Sequence, residues 1–139
     1  MASRKAMSEK FVKNAIIKWL QKQNYAWALD AKELREHGVD IKVRHKNVKR
    51  FYYVETKGDS TPSGMESNFL KALGQIITRM KSKARDHYAI GFPSSYKKIV
   101  TKRVPYNACR KLDLKFLFVD EKGNVEKITS VELKKMQKK

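Results

Sequence analysis

Two runs, HYAIGF (87–92) and LKFLFVD (114–120), are apolar at nearly every position instead of every second one. A strand spelled that way has no face to offer water, so it predicts a place inside a sheet covered on both sides. Each run follows a stretch of helical character. Residues 66–82 carry Phe69, Leu73, Ile76, Ile77 and Met80 on one stripe, and a polar helix over 95–102 stops before Pro105, which cannot continue it. Strands entered through helical crossovers run parallel, so these four segments already demand a sheet with helices packed on it.

Upstream the pattern changes. Residues 8–23 predict a helix: Ser8 can cap it, and Val12, Ile16, Trp19 and Leu20 recur at three- and four-residue spacing. YAWAL (25–29) reads as a short strand, and DAKELREHG as a turn or single helical turn ending at Gly38. Residues 40–44 alternate charged and apolar side chains, while 50–57 are rich in aromatic and β-branched residues; together they predict two antiparallel strands. GDSTPSG reads as a loop, because Gly, Pro, Ser and Asp cluster there. EKGNVEKIT predicts a hairpin turn at Gly123-Asn124 and a short edge strand. The tail over 130–139 reads either as a short helix or as a frayed basic end. The expected class is α/β, a mixed β-sheet flanked by helices in the order αβββαβαβ, as one domain across 1–139.

The chain carries 32 Lys and Arg against 14 Asp and Glu, a formal charge of +18 on 139 residues. Such a surplus favours a polyanionic partner, nucleic acid ahead of an anionic membrane surface. A single cysteine, Cys109, excludes an intrachain disulfide, and with His37, His45 and His87 scattered it shows no zinc-ligand spacing. The basic start MASRKAMSEK is not followed by a signal-peptide core, and no apolar run approaches the roughly 20 residues needed to span a bilayer. The expected setting is cytoplasmic or nucleoid-associated, with no membrane partner. The basic residues group as Lys46, Lys49 and Arg50 at the hairpin tip, Lys81, Lys83 and Arg85 after the second helix, and Lys97, Lys98, Lys102 and Arg103 on the polar helix. Each group either grips phosphates or stays solvated. Trp19, Trp27 and the Tyr52–Tyr53 pair read as packing residues, with Tyr53, on the charged face of its strand, the candidate exception.

Parity turns the 40–57 hairpin into geometry. Asp40, Lys42 and Arg44 share one face, with Ile41 and Val43 on the other; Phe51, Tyr53, Glu55 and Lys57 share a face, with Tyr52, Val54 and Thr56 opposite. A four-residue loop over 46–49 sets Ile41 against Val54, Val43 against Tyr52 and Asp40 against Glu55, leaving one face wholly apolar. Two carboxylates with Cβ atoms about 5 Å apart repel. Either a cation lies between them, or Lys42, Arg44 and Lys57 neutralise them on an open sheet face. The first option suits Mg²⁺ or Mn²⁺, since the ligands are all oxygen, with the Thr56 carbonyl as a natural addition. Lys57 is then placed to contact a scissile phosphate or orient the attacking water. Glu9 lies in the first turn of its helix on the side of Val12 and Ile16, where dipole stabilisation and a pair with Lys13 account for it without a function.

Gly38-Val39-Asp40 and, after fourteen residues beyond Asp40, Glu55-Thr56-Lys57 resemble the motif of the PD-(D/E)XK nuclease superfamily, the restriction-endonuclease-like fold. The resemblance in element order covers about residues 8–120, and Val39 departs from the superfamily's eponymous proline. It implies Asp40 and Glu55 as metal ligands, Lys57 as the catalytic lysine, and Glu9 as the first-helix acid found in several branches, archaeal Holliday junction resolvases among them. The Gly-x-Asp form is similar to those resolvases and to modification-dependent restriction enzymes. Gln75 resembles a helix glutamine of some branches; a helical wheel sets it opposite the Phe69–Leu73–Met80 stripe, beside Lys71 and Arg79, on a face that either touches DNA or is solvated. Lys42 and Arg44 join these three as candidate nucleic-acid contacts. The implied activity is Mg²⁺-dependent endonucleolytic hydrolysis of DNA, structure-selective and homodimeric in the resolvase-like case. The alternative is a nucleic-acid-binding protein of the same fold with inert carboxylates.

Overall fold

The computed structural model describes residues 6–25, 40–48, 50–80 and 86–138. Helix α1 (Glu9–Gln21) starts where Ser8 Oγ accepts the Phe11 N–H at 3.1 Å, and it buries Val12, Ile16 and Leu20. It ends ahead of Asn24, whose φ of 69° is a left-handed conformation that asparagine tolerates. Strands β1 (Ile41–Arg44) and β2 (Phe51–Thr56) pair antiparallel in the expected register, Ile41 opposite Val54 and Val43 opposite Tyr52. β3 (His87–Pro93) runs parallel to β2, β4 (Leu114–Val119) parallel to β3, and β5 (Val125–Ile128) antiparallel to β4. The sheet order is β1-β2-β3-β4-β5. All of β4, and β3 beyond His87, is buried, as their unbroken apolar spelling requires.

Helix α1 covers one face of the sheet, packing Val12, Ile16 and Leu20 on Ile41, Val54, Ala89 and Leu117. The other face carries α2 (Pro62–Arg79), α3 (Lys97–Arg103), α4 (Tyr106–Leu112) and α5 (Ser130–Gln137), with Phe69, Ala72 and Ile76 of α2 against Ile90 and Phe92. No helix among the described residues is long and apolar enough to cross a membrane.

Several expectations are corrected. GDSTPSG is helical from Pro62 onward: Thr61 Oγ1 accepts the Gly64 N–H at 3.1 Å, and proline in the first turn forfeits no needed donor. Within α2, Ala72 and not Ile77 completes the buried stripe; Ile77 is 44% exposed, because positions 69, 72 and 76 follow the contact line from which 77 turns away. The helix ends at Arg79, short of the expected 82. Residues 106–112, absent from the expected order, form α4, which opens after Pro105 and closes on Asp113 at φ 51°. The order among the described residues is therefore αββαβααββα. The strand expected at 25–29 lies outside them apart from Tyr25, which bridges His45.

The tail is not frayed. α5 opens on a capping box between Thr129 and Glu132 and buries Leu133. Near its end the Gln137 amide ties two other helices, its Oε1 accepting the Tyr106 N–H at 3.2 Å and its Nε2 donating to the Thr101 carbonyl at 3.0 Å. The hairpin before β5 forms as expected: Asp120 Oδ1 accepts the N–H groups of Lys122 and Asn124, each at 2.9 Å, and Gly123 takes φ 85°.

Candidate active site

The charged residues of the hairpin meet at the C-terminal end of β2. Asp40 immediately precedes β1 and falls opposite Glu55 when the register is extended by one pair. Its carboxylate turns back onto β2, Oδ2 accepting the Thr56 N–H at 2.7 Å. That bond fixes the side chain at the strand end, a detail that parity alone could not supply.

Glu55 shares its face with Phe51 and Tyr53, and α2 packs over β2 on that side. Glu55 is consequently only 3% exposed, and the open, solvated face that would let lysines neutralise it does not exist at this position. Lys42 instead lays its ammonium over the rings of Phe51 (4.6 Å) and Tyr53 (5.5 Å), while Arg44 is exposed. Glu55 Oε1 is buried without a hydrogen-bond partner. Burial first, then the charge and hydrogen bond of Asp40, push its pKa from the ordinary 4.5 up to about 8, against the opposing charges of Lys57 and Arg79. A carboxylate in that state is relieved by a proton or by a cation.

Glu9 approaches from the α1 side, where parity places the Thr56 side chain; its Oε1 accepts the Thr56 hydroxyl at 3.3 Å. Gly58 makes this approach possible, since a Cβ there would stand 2.6 Å from Glu9 N and 3.0 Å from the Met7 carbonyl oxygen. Asp59 locks the same contact. Its Oδ2 accepts the Met7 N–H at 2.8 Å, its own N–H donates to the Met7 carbonyl at 2.8 Å, and its Oδ1 accepts the Ser95 hydroxyl at 2.7 Å. The Gly58 carbonyl accepts the Tyr96 hydroxyl at 2.7 Å. Lys57, between these anchors, donates its N–H to the Gly91 carbonyl at 3.1 Å. A Gly-Asp pair after a strand signals a loop and nothing more, so the sequence carries no mark of this role for Gly58 and Asp59.

The donor set of Asp40, Glu55 and the Thr56 carbonyl consists of oxygens alone, which fits Mg²⁺ or Mn²⁺, and the orphaned Glu55 Oε1 is the atom a cation would satisfy. Among the described residues no three Asp, Glu, His or Cys side chains cluster as metal ligands. Glu9 is engaged by Thr56 and is not a third member of the carboxylate pair.

Lys71, Gln75 and Arg79 are all exposed at four-residue intervals along α2, as the wheel placed them. The structure adds that the charge of Arg79 reaches Glu55. Tyr53 stacks on Tyr88, with centroids 5.1 Å apart and planes 11° from parallel, and packs against the core. Trp27, Val39, Lys49, Lys81, Lys83 and Arg85 lie outside the described residues.

A five-stranded mixed sheet with, among the described residues, one helix on one face and four on the other is an α/β architecture of the restriction-endonuclease-like kind. The chain is similar to the crystal structure of an XisH family protein from Nostoc punctiforme, with a TM-score of 0.55 and 17% identity over 86% of this chain and 99% of that one. At that identity the likeness bears on the fold. No family model matches the chain, and no curated protein does.

Proposed function

We propose that this chain is a metal-dependent endonuclease that hydrolyses DNA phosphodiester bonds at the Asp40–Glu55 pair. The observation that carries the reading is Glu55 Oε1, a buried carboxylate oxygen without a hydrogen-bond partner, set against a second carboxylate. A sheet gains nothing from such a pair by itself, whereas an ion-binding site requires it. Asp40, Glu55 and the Thr56 carbonyl would hold Mg²⁺ or Mn²⁺. When bound, that ion withdraws charge from the scissile phosphate and acidifies a water. The remaining work belongs to the chain. Thr56 N–H presets the Asp40 carboxylate before the ion arrives. Lys57, held through its backbone on Gly91, presents an ammonium to a phosphate oxygen as negative charge builds there. Glu9 steadies the strand end through the Thr56 hydroxyl. Lys71, Gln75 and Arg79 along α2, with Lys42 and Arg44 on β1, offer the backbone contacts that a chain of charge +18 suggests for DNA.

A second reading, a nucleic-acid-binding protein with inert carboxylates, draws on the bond that engages Glu9 with Thr56 and leaves two clustered carboxylates instead of three. Incubating the full chain with Mg²⁺ or Mn²⁺ and linear duplex, four-way junction or single-stranded DNA separates the two. Cleavage lost in Glu55→Gln and Lys57→Ala supports the nuclease, and preference for the junction by a dimeric species supports the structure-selective form. Binding without cleavage of any substrate would sink the nuclease and leave the second reading.

A further inference from the structure

A polar pocket of about 240 Å³ opens at the end of β2 away from Glu55, on the α1 face of the sheet. From Thr56 to Tyr52 is four residues, on the order of 13 Å along a strand, so it is separate from the Asp40–Glu55 site. Its lining includes Arg50 before β2, Tyr52 on β2, His87 at the head of β3, Lys115 on β4 and Lys127 on β5. Strand pairing brings them together: Tyr52 is the register partner of His87, Ala89 of Lys115, and Leu117 of Lys127.

Two features of this lining bear on what it could hold. Tyr52 is 4% exposed and its hydroxyl has no hydrogen-bond partner; His87 Nδ1 is likewise buried and unpartnered. Buried polar atoms of this kind are normally satisfied, and these two belong to residues that line the same cavity. The second feature is charge. Lys115 is 8% exposed, a rare condition for lysine. Among the described residues its carboxylate partner is Asp113, at 3.3 Å and with its own side chain 73% exposed; the Asp113 carbonyl also accepts the Lys115 ammonium at 3.2 Å. Arg50 and Lys127 add two more cations to the same wall. Burial first, then the charges of Lys115 and Arg50, hold the His87 imidazole down at about 4, so it is neutral at pH 7 and can donate or accept one hydrogen bond on each nitrogen.

We propose that this pocket binds a phosphate-type oxyanion, either inorganic phosphate or a terminal phosphate group of a nucleic acid, through Tyr52, His87, Lys115 and Arg50. An anion with several acceptor oxygens takes the Tyr52 hydroxyl and a His87 N–H as donors, and it faces the cations Arg50, Lys115 and Lys127. The site stands whether or not the Asp40–Glu55 pair cuts DNA.

The test uses the full chain in EDTA at constant ionic strength, comparing phosphate with chloride. The readouts are the nitrogen resonances of the His87 imidazole and the thermal midpoint. Phosphate should move the His87 signals saturably and raise the midpoint beyond the chloride control. Tyr52→Phe keeps the ring and removes only the orphaned hydroxyl; it should leave the midpoint in chloride unchanged or higher and weaken phosphate binding about tenfold or more. Lys127→Gln, at an exposed position, gives an independent loss of affinity without touching the core. A 5′-phosphorylated oligonucleotide that moves the His87 signals when its 5′-hydroxyl counterpart does not identifies a nucleic-acid end as the source; a response to inorganic phosphate alone identifies the free ion. Unmoved His87 signals would mean that the pocket holds water only, and equal affinity in wild type and Tyr52→Phe would mean that the orphaned hydroxyl takes no part in binding; either result would overturn the proposal.

Discussion

Replacing Glu55 by glutamine tests whether the carboxylate pair is the strained feature that the structure describes. In metal-free protein, burial and then Asp40 hold Glu55 at about 8 instead of 4.5. A carboxyl whose pKa rises on folding binds more protons in the native than in the unfolded state, so stability is full below about 4.5 and is lost as pH climbs through about 8. Each tenfold difference in proton affinity is worth about 1.4 kcal/mol, which sets a ceiling of about 5 kcal/mol. Asp40 is half-buried and water screens the pair, so a working figure is about 2 kcal/mol. The amide carries no charge and can donate to the Asp40 carboxylate. Glu55→Gln should therefore match wild type near pH 5 and exceed it by about 2 kcal/mol near pH 8.5, measured by urea denaturation in EDTA. Mg²⁺ should reverse the order. At a hundredfold excess over its Kd it adds about 2.7 kcal/mol to wild type and far less to the variant, which has lost a ligand. If wild type and variant lose stability in parallel between the two pH values, the buried, mutually repelling pair is not there, and the ion site built on it goes too.

Lys57→Ala should reduce cleavage by about 10²–10³-fold with little change in the thermal midpoint; undiminished turnover would strip Lys57 of its role. Gly58→Ala forces a Cβ to within 2.6 Å of a backbone atom of α1, and urea denaturation should show a loss of about 1–3 kcal/mol together with weaker cleavage. A midpoint equal to wild type would show that α1 does not rest on this loop. Arg79→Gln should lower the salt dependence of DNA binding by about one unit of slope, across all sequences alike, as removal of a single phosphate contact does. An unaltered slope places Arg79 off the DNA path.

The sequence on its own determined a good deal about this protein. Alternation on 40–44 and 50–57 decided the register of β1 and β2, because a slip of one residue would have turned Ile41, Val43, Tyr52 and Val54 to the wrong side of the sheet. The unbroken apolar runs placed β3 and β4 at its centre, since only strands covered on both faces can be spelled that way. Opposition of Asp40 and Glu55 followed from the same parity. Short helices were less legible: α4 has seven residues and α5 eight, too few turns for a periodic signal, and α5 is held by its capping box and by Gln137 reaching across to α3 and α4.

What only the tertiary structure decided is the state of the site. Parity assigns a face but does not say what lies over it, and α2 packs over β2 on the face that carries Glu55. That cover turns Glu55 from a solvated carboxylate into a buried one with an orphaned oxygen, because desolvation depends on neighbours distant in the chain. The same holds for Glu9, Gly58 and Asp59, brought together by the packing of α1 against the end of β2, and for Tyr52, His87 and Lys115, which three separate strands carry to one pocket. Local sequence writes the strands and their faces; long-range packing sets which charges lose their water, and that is where this chain's chemistry is decided.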